Sequence, residues 1–332
     1  TKGKISNSFY NLLDYEKWKH DITNEKSWNI KYYKGLGTST NVEAKEYFKD
    51  MNRNVVKYNF DHKTDESIEL AFKKENTDKR KVWIQDGLKL NETLDFDKKD
   101  VRYEEFINKD LIWFSISDVA RSIPSAIDGF KPSQRKVSYA CRKRKNTEIK
   151  VSQLAGYAST ESAYHHGEQS MCSTIVGLAQ NFVGSNNMNL LKPSGQFGTR
   201  LMGGKDHASP RYIFTMLSPN CQQLIKAGDD PLLEYMYDDG MKVEPKYYVP
   251  TLPIVLINGA EGIGTGYSCS VPCFNPDVIK DNIKRELDGE PMQDMIPWYN
   301  GFTGKMKIVN RGGRAGGVDV AAVALVIAST GV

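Results

Sequence analysis

Arg211 and Tyr212 stand side by side in the segment ASPRYI at 208–213, and the pair has a chemistry of its own. A phenol with a pKa of ~10 is a poor nucleophile unless a cation and a base assist it, and an adjacent guanidinium can also hold the phosphate that it attacks. The competing reading of Tyr212 is amphipathic packing. Basic side chains recur where glycine lets a backbone approach a ligand: Lys131 and Arg135 around Pro132, Arg142 to Lys145, Arg200 after Gly198, Lys205 after Gly203-Gly204, and Arg211. As a set they suit phosphate contacts, which give affinity and register without reading sequence; singly, each is a solvated surface charge. The run Arg142-Lys143-Arg144-Lys145 reads either as a nuclear-localisation patch or as an exposed helix end. His165 and His166 cannot share a helical face, which argues against a metal pair. At a helix start, their donors and the free backbone N–H groups could hold a phosphate; the alternative is a surface loop.

Other chemistries are disfavoured by what is missing. None of the three glycine loops has the GxxxxGK[ST] spacing, the Gly262 to Gly266 turn does not continue as GxGxxG, and neither a GxSxG elbow nor an HExxH pair occurs. The five cysteines, Cys141, Cys172, Cys221, Cys269 and Cys273, contain no CxxC, and no histidine falls beside Cys269 and Cys273. A disulfide framework and a zinc site are therefore both disfavoured, and a reducing, intracellular compartment is expected. With 332 residues, 39% hydrophobic and 26% charged, the chain reads as a globular protein of two or three domains, neither disordered nor collagenous. A formal charge of +4 leaves room for one locally basic face. The apolar runs fall short of the ~20 residues that span a bilayer, so no membrane partner is expected. The start, Thr1-Lys2-Gly3-Lys4, carries no initiator Met or signal core, and the sequence reads as a piece of something longer.

The elements that must position these residues follow from periodicity. Trp28, Ile30 and Tyr32 alternate as in a strand, followed by a glycine turn at Lys34 to Gly37; Thr40 and Glu43 are spaced as a capping box opening a helix through Phe48. Residues 49–109 read as a connector with two helical patterns, one around Ile68, Ala71 and Phe72 and one over Thr77 to Gly87. From Asp110 to Ile123 apolar residues recur at helical spacing until Pro124; a second helix is predicted from Pro132 and a third from Gly167 to about Phe182. With a candidate strand at Met188 to Leu191, this suggests a helix-turn-helix unit with a β wing. Ile254 to Ile257 reads as a short buried strand, and Asn275-Pro276 as the cap and first residue of another helix.

Seven segments, taken in order, resemble the breakage-reunion core of type IIA DNA topoisomerases, the eukaryotic topoisomerase II branch above all: KGLGTS at 34–39, DGFKPSQRK at 128–136, AYHHGEQS at 163–170, LAQNFVGSNN at 178–187, GQFGTR at 195–200, ASPRYI at 208–213 and INGAEGIGTG at 257–266. The resemblance covers roughly residues 5 to 308. It implies an α+β multidomain chain: the end of a TOPRIM α/β domain at 1–48, a linker with short helices at 49–109, a winged-helix domain carrying the catalytic tyrosine at 110–250, the start of an α/β tower domain at 251–308, and an unassigned tail at 309–332. It implies that Tyr212 attacks a phosphodiester of double-stranded DNA to form a 5′-phosphotyrosyl bond, with Arg211 on the scissile phosphate. Arg135, His165 and His166 would line the cleaved-strand groove, Lys131, Arg200 and Lys205 would contact the backbone, and Ile263 would be an apolar wedge between base steps. A homodimer is implied, as is action in the nucleus or in a viral cytoplasmic factory.

One departure stands out. The family's acidic magnesium cluster lies upstream of KGLG and is absent from these residues, as is the ATP-binding gate; Mg2+ and ATP would both be held elsewhere. These residues are therefore expected to bind and bend DNA yet cleave it poorly. The alternative is a winged-helix module that binds or shapes DNA without chemistry.

Overall fold

Helices begin where the sequence supplies their caps. The Thr40 N–H donates to the Glu43 carboxylate at 2.7 Å and the Glu43 N–H to the Thr40 hydroxyl at 3.3 Å, and the helix Asn41–Lys49 follows. The Tyr33 hydroxyl, the Thr40 N–H and Lys31 together hold the Glu43 pKa down at about 2. Asn275 accepts from the Asp277 N–H at 2.9 Å to open Pro276–Leu287, and Gln134 accepts from the Lys131 N–H at 2.8 Å to open Pro132–Lys143. The computed structural model describes residues 1–306 apart from 4, 23, 25–26, 34–36, 38, 50, 52–54, 91, 96–97 and 239. It is a mixed helix and strand structure of two compact units, one of Thr1–Val119 with Gly264–Tyr267, the other of Ala120–Ile263 with the described residues from Ser268 on.

In the first unit, β1 (Lys57–Asn59) and β2 (Asp100–Arg102) pair in parallel beside the helices Thr64–Phe72 and Thr77–Gly87. Arg80 ties those helices together, donating to the carbonyls of Leu70 at 3.0 Å and Lys73 at 2.7 Å. Gly87 admits a close neighbour: a Cβ there would lie 2.5 Å from Ile112 Cγ1. Asp118 accepts from both the N–H and the hydroxyl of Thr265, each at 2.9 Å.

The second unit is built on three mutually packed helices, Pro132–Lys143, Val151–Glu161 and Glu168–Ala179. Val137, Leu154, Ala158, Met171 and Ile175 fill the space between them. Around this core lie three antiparallel pairs: β3 (Ile149–Lys150) with β4 (Phe214–Thr215), β5 (Tyr235–Asp238) with β6 (Met241–Pro245), and β7 (Ala260–Ile263) with β8 (Ser268–Val271).

Two buried polar residues fasten it. Asp128 accepts from Arg135 Nε at 2.7 Å and Nη2 at 2.9 Å, from the Phe130 N–H and from the Tyr248 N–H, each at 3.0 Å. Asn187 donates to the carbonyls of Ile257, Phe274 and Trp298 and accepts from the Asn300 N–H, drawing four segments together. All five cysteines are free; burial pushes the Cys141 thiol up to about 12 and those of Cys221 and Cys273 to about 11.

The helices read from periodicity all form, Thr77–Gly87 with the bounds expected. Other elements differ. Ile254–Ile257 is a helical turn, its Ile257 N–H donating to Pro253; a four-residue apolar run carries no period, and the preceding proline starts a helix. Met188 to Leu191 makes one bridge, Leu191 to Leu217, because the N–H groups of Leu190 and Leu191 both turn onto the Leu178 carbonyl. Residues 29–33 form neither helix nor strand. The helix Val151–Glu161, buried through Val151, Leu154, Ala155 and Ala158, was not anticipated although its spacing is helical. Most of the Lys34 to Gly37 turn and the tail from 307 on lie outside the described residues.

Asp128→Ala strands the Arg135 charge and two backbone N–H groups in the interior, and a loss of about 3–5 kcal/mol is expected, read from the urea midpoint. Thiol labelling at pH 8 is expected to modify the half-exposed Cys269 first, with Cys141 and Cys221 reacting only as the chain unfolds.

Candidate functional site

Tyr212 sits in a turn whose backbone is gripped from both sides. The first N–H groups of a helix lack intrahelical partners. In Val151–Glu161 two of them are used on this turn: Val151 donates to the Ile213 carbonyl at 3.0 Å and Ser152 to that of Pro210 at 3.1 Å. The Tyr212 N–H donates to Ser209 at 2.9 Å, Ser194 and Phe214 exchange backbone hydrogen bonds, and Ile213 is buried so close to Gly195 that a Cβ there would lie 2.9 Å from its Cγ2. The Tyr212 side chain itself remains 71% exposed. The Arg211 guanidinium carbon lies 5.7 Å from its ring centroid, with Nε donating to the Ser209 hydroxyl at 3.4 Å. An open phenol with a guanidinium against its ring, on a fixed backbone, is an arrangement that can meet a phosphate.

The next loop, Gly195 to Ala208, is built as rigidly. Gly198 has φ +97°, and a Cβ there would lie 2.6 Å from Gly204 Cα. Gln180, at the end of Glu168–Ala179, donates to the carbonyls of Phe197 at 2.9 Å and Gly204 at 3.1 Å. Asp206 accepts from the Thr199 N–H and hydroxyl, and the Ala208 N–H returns to Gln196 at 2.9 Å, joining this loop to the Tyr212 turn. Arg200 and Lys205 project from it, both exposed, Arg200 with its guanidinium 5.9 Å from the Phe302 ring centroid.

His165 and His166 are exposed on the loop between Val151–Glu161 and Glu168–Ala179. That loop contains Ala163 at φ 47°, the one non-glycine residue with positive φ among the described residues. His165 Nε2 lies 2.9 Å from Asp238 Oδ2, and the His166 ring packs edge-on to Tyr164 at 5.3 Å. The helix that follows has no side-chain cap, so its leading N–H groups stay available. Ile263 ends β7 and is 79% exposed, while its neighbour Gly262 leaves no room for a Cβ, which would lie 2.2 Å from the Ser122 carbonyl oxygen.

Lys131 is half-buried at the mouth of a cleft of about 1000 Å³, lined also by Gln134, Ser170, Ser173, Thr174 and Glu261. Neither Arg211 nor Tyr212 lines that cleft. Arg135 departs from the expectation of a groove contact: it is 5% exposed, with its guanidinium committed to Asp128 and the Phe130 carbonyl, so it shapes the loop beside Lys131 instead of facing a ligand. Sequence reasoning assigned no role to Gln180, Asp206 or Asn187. Each is a polar residue whose partners are mostly backbone groups, a use that residue type and spacing do not reveal. Among the described residues, no group of three or more His, Cys, Asp or Glu side chains is placed to hold a metal ion, so these residues do not fit a resident divalent cation. No described helix is long and apolar enough to cross a membrane.

Residues 121–323 match the family model of the A-type polypeptide of DNA gyrase/topoisomerase IV, and residues 1–119 that of the C-terminal associated domain of TOPRIM. The chain is 51% identical over 320 residues to DNA topoisomerase 2 of Bombyx mori, covering 92% of this chain and 21% of that protein. It is 52% identical over 320 residues to DNA topoisomerase 2-beta of Homo sapiens, covering 92% and 20%. A crystal structure of the Plasmodium falciparum topoisomerase II DNA-binding, cleavage and re-ligation domain superposes with a TM-score of 0.77 at 47% identity, over 94% of this chain and 42% of that one. The chain thus spans about a fifth of the length of the curated relatives it matches.

Gly198→Ala forces a Cβ onto the Gly204 backbone at an unfavourable φ. Faster hydrogen exchange at the Gly204 amide, which donates to Thr199, is the expected result, with the three-helix core unchanged.

Proposed function

Because the chain belongs to the DNA gyrase/topoisomerase IV A-type family, and resembles eukaryotic topoisomerase 2 at about half of its positions, we propose that it is part of a DNA breakage-reunion core in which Tyr212 is the nucleophile. The single observation that carries this reading is the turn at Tyr212, with its backbone held by a helix start and its phenol open beside Arg211. The phenol oxygen attacks a DNA phosphorus in line. An O–P bond forms to Tyr212, the bond to the 3′-oxygen breaks, the phenol proton leaves to solvent and the departing oxygen is released as a 3′-hydroxyl. One phosphodiester is exchanged for another, so rejoining is the same step reversed and needs no new energy.

Arg211 binds the scissile phosphate and opposes the charge that develops on it, the kind of contribution that dominates phosphoryl transfer. Arg200, Lys205 and Lys131 hold neighbouring phosphates, and the His165–His166 loop with the uncapped helix start beside it offers further donors. Arg135 acts by position, through Asp128. Ile263 inserts between base steps and bends the duplex, at an unstacking cost of a few kcal/mol returned as wrapped surface. Under this reading residues 1–48 close a TOPRIM domain, 49–109 connect, 110–250 form a winged-helix domain and 251–308 begin a tower. Two copies cut opposite strands as a homodimer in the nucleus, while ATP and magnesium are held by residues outside those described. The lack of an acidic cluster among the described residues favours, for this stretch alone, a second reading in which it binds and bends DNA without cutting it.

Covalent trapping separates the two. The whole protein and this chain are incubated with a nicked, labelled duplex and magnesium, denatured, and any adduct mapped by mass. An adduct on Tyr212 in the whole protein, abolished by Tyr212→Phe with DNA affinity kept within about twofold, is expected; its absence in the wild-type whole protein leaves only the binding module.

A further inference from the structure

Leu201 is 92% exposed, the most open of the large apolar side chains described, and its setting does not allow it to fold away. It rides on the short turn Arg200–Met202, which is closed by the Gly203 N–H on the Arg200 carbonyl at 3.1 Å and the Lys205 N–H on Met202 at 3.2 Å. Beneath that turn, Gly198 and Gly204 are in contact through their backbones, Gln180 bonds both arms of the loop, and Asp206 fixes Thr199. A loop this constrained holds its tip out, so the exposure is a property of the fold. Met202 beside it is exposed as well.

The surrounding charge separates Leu201 from the other open leucines. Leu232, 86% exposed, sits among Asp229, Asp230 and Glu234, whereas Leu201 lies between Arg200 and Lys205, and the loop's one acid, Asp206, is occupied by Thr199. An apolar tip flanked by cations matches a partner that alternates anionic and apolar surface at short range. A nucleic acid does this, with phosphates bordering sugar and base faces. The loop also shares its base with the Tyr212 turn through the Ala208 to Gln196 hydrogen bond and the Gly195–Ile213 contact.

We propose that Leu201 packs on the sugar and base face of the duplex beside the phosphate that Tyr212 attacks, between phosphates held by Arg200 and Lys205. This rests on the DNA-cleavage reading above and adds to it a positioning residue. Its contact is non-ionic, holding the strand end in register without releasing counterions.

That distinction sets the test: binding of the chain to a labelled duplex, measured over a salt series. An ionic contact changes the slope of log affinity against log salt, and an apolar one changes affinity at constant slope. Leu201→Ala is expected to weaken binding roughly tenfold with the slope unchanged, Leu201→Met to restore it, and Arg200→Ala to weaken binding and lower the slope by about one. With a 2-aminopurine base stepped along the duplex, the wild-type chain should perturb fluorescence at one or two positions, and Leu201→Ala should lose that signal. Wild-type affinity and fluorescence in Leu201→Ala, or a slope change like that of Arg200→Ala, would overturn the proposal while leaving DNA binding standing. A wild-type chain with no salt-dependent binding would sink both. A side chain this exposed contributes little to folding, so Leu201→Ala should unfold with the wild-type midpoint.

Discussion

The second unit depends on one buried carboxylate. Asp128 is fully enclosed and takes four hydrogen bonds, two from Arg135 and one each from the backbones of Phe130 and Tyr248. Each partner comes from a different stretch: the loop that follows it, the helix after that loop, and a segment more than a hundred residues on. A charge this deep is tolerable only when its acceptor sites are filled. The geometry of the loop carrying Lys131, the start of Pro132–Lys143 and the approach of Tyr248 are therefore set together. Asn187 does the same for 257, 274, 298 and 300 with an uncharged amide.

Around these fixed points the chain divides its polar residues by depth. Those that hold are buried and spend their hydrogen bonds largely on backbone: Asp128, Arg135, Gln180, Asn187. Those offered to a ligand are exposed on loops whose backbone the first group has fixed: Arg200, Lys205, Arg211, Tyr212. Preorganisation of this kind puts the ordering cost into folding, so that little is left to meet when a ligand arrives. The glycines belong to the same scheme. Gly195, Gly198 and Gly204 sit where no Cβ fits, which lets two strands of loop lie against each other and makes the tip between them stiff.

Much of this was legible in the sequence, and the failures share a cause. Caps and periodic helices were readable because they are local: Thr40 with Glu43, Asn275 with Pro276, the whole of Thr77–Gly87. The family was legible from seven ordered segments, and the match over 121–323 bears it out. Ile254 to Ile257 was misread because four apolar residues carry no period, and Met188 to Leu191 because its backbone partner, Leu178, lies on another element. Arg135 shows the limit best. Its type and its motif both suggested a ligand contact, but the side chain was claimed by Asp128 seven residues earlier, and a basic residue's type does not say whether its partner is inside or outside the protein.

A nucleophile that must attack and later be displaced by the end it released faces opposite demands. Its Cα has to stay in place through both steps, yet its side chain has to move between an open and an esterified state. Packing the ring into a core would satisfy the first demand and defeat the second. The turn at Tyr212 meets both, because the anchors are carbonyls held by the Val151–Glu161 helix start, and none of them involves the ring. If that turn were loosened, the phenol would be no less exposed, but the chance of finding the same phosphorus on the return step would fall. For that reason religation, more than cleavage, is the step that the helix start beneath Tyr212 protects.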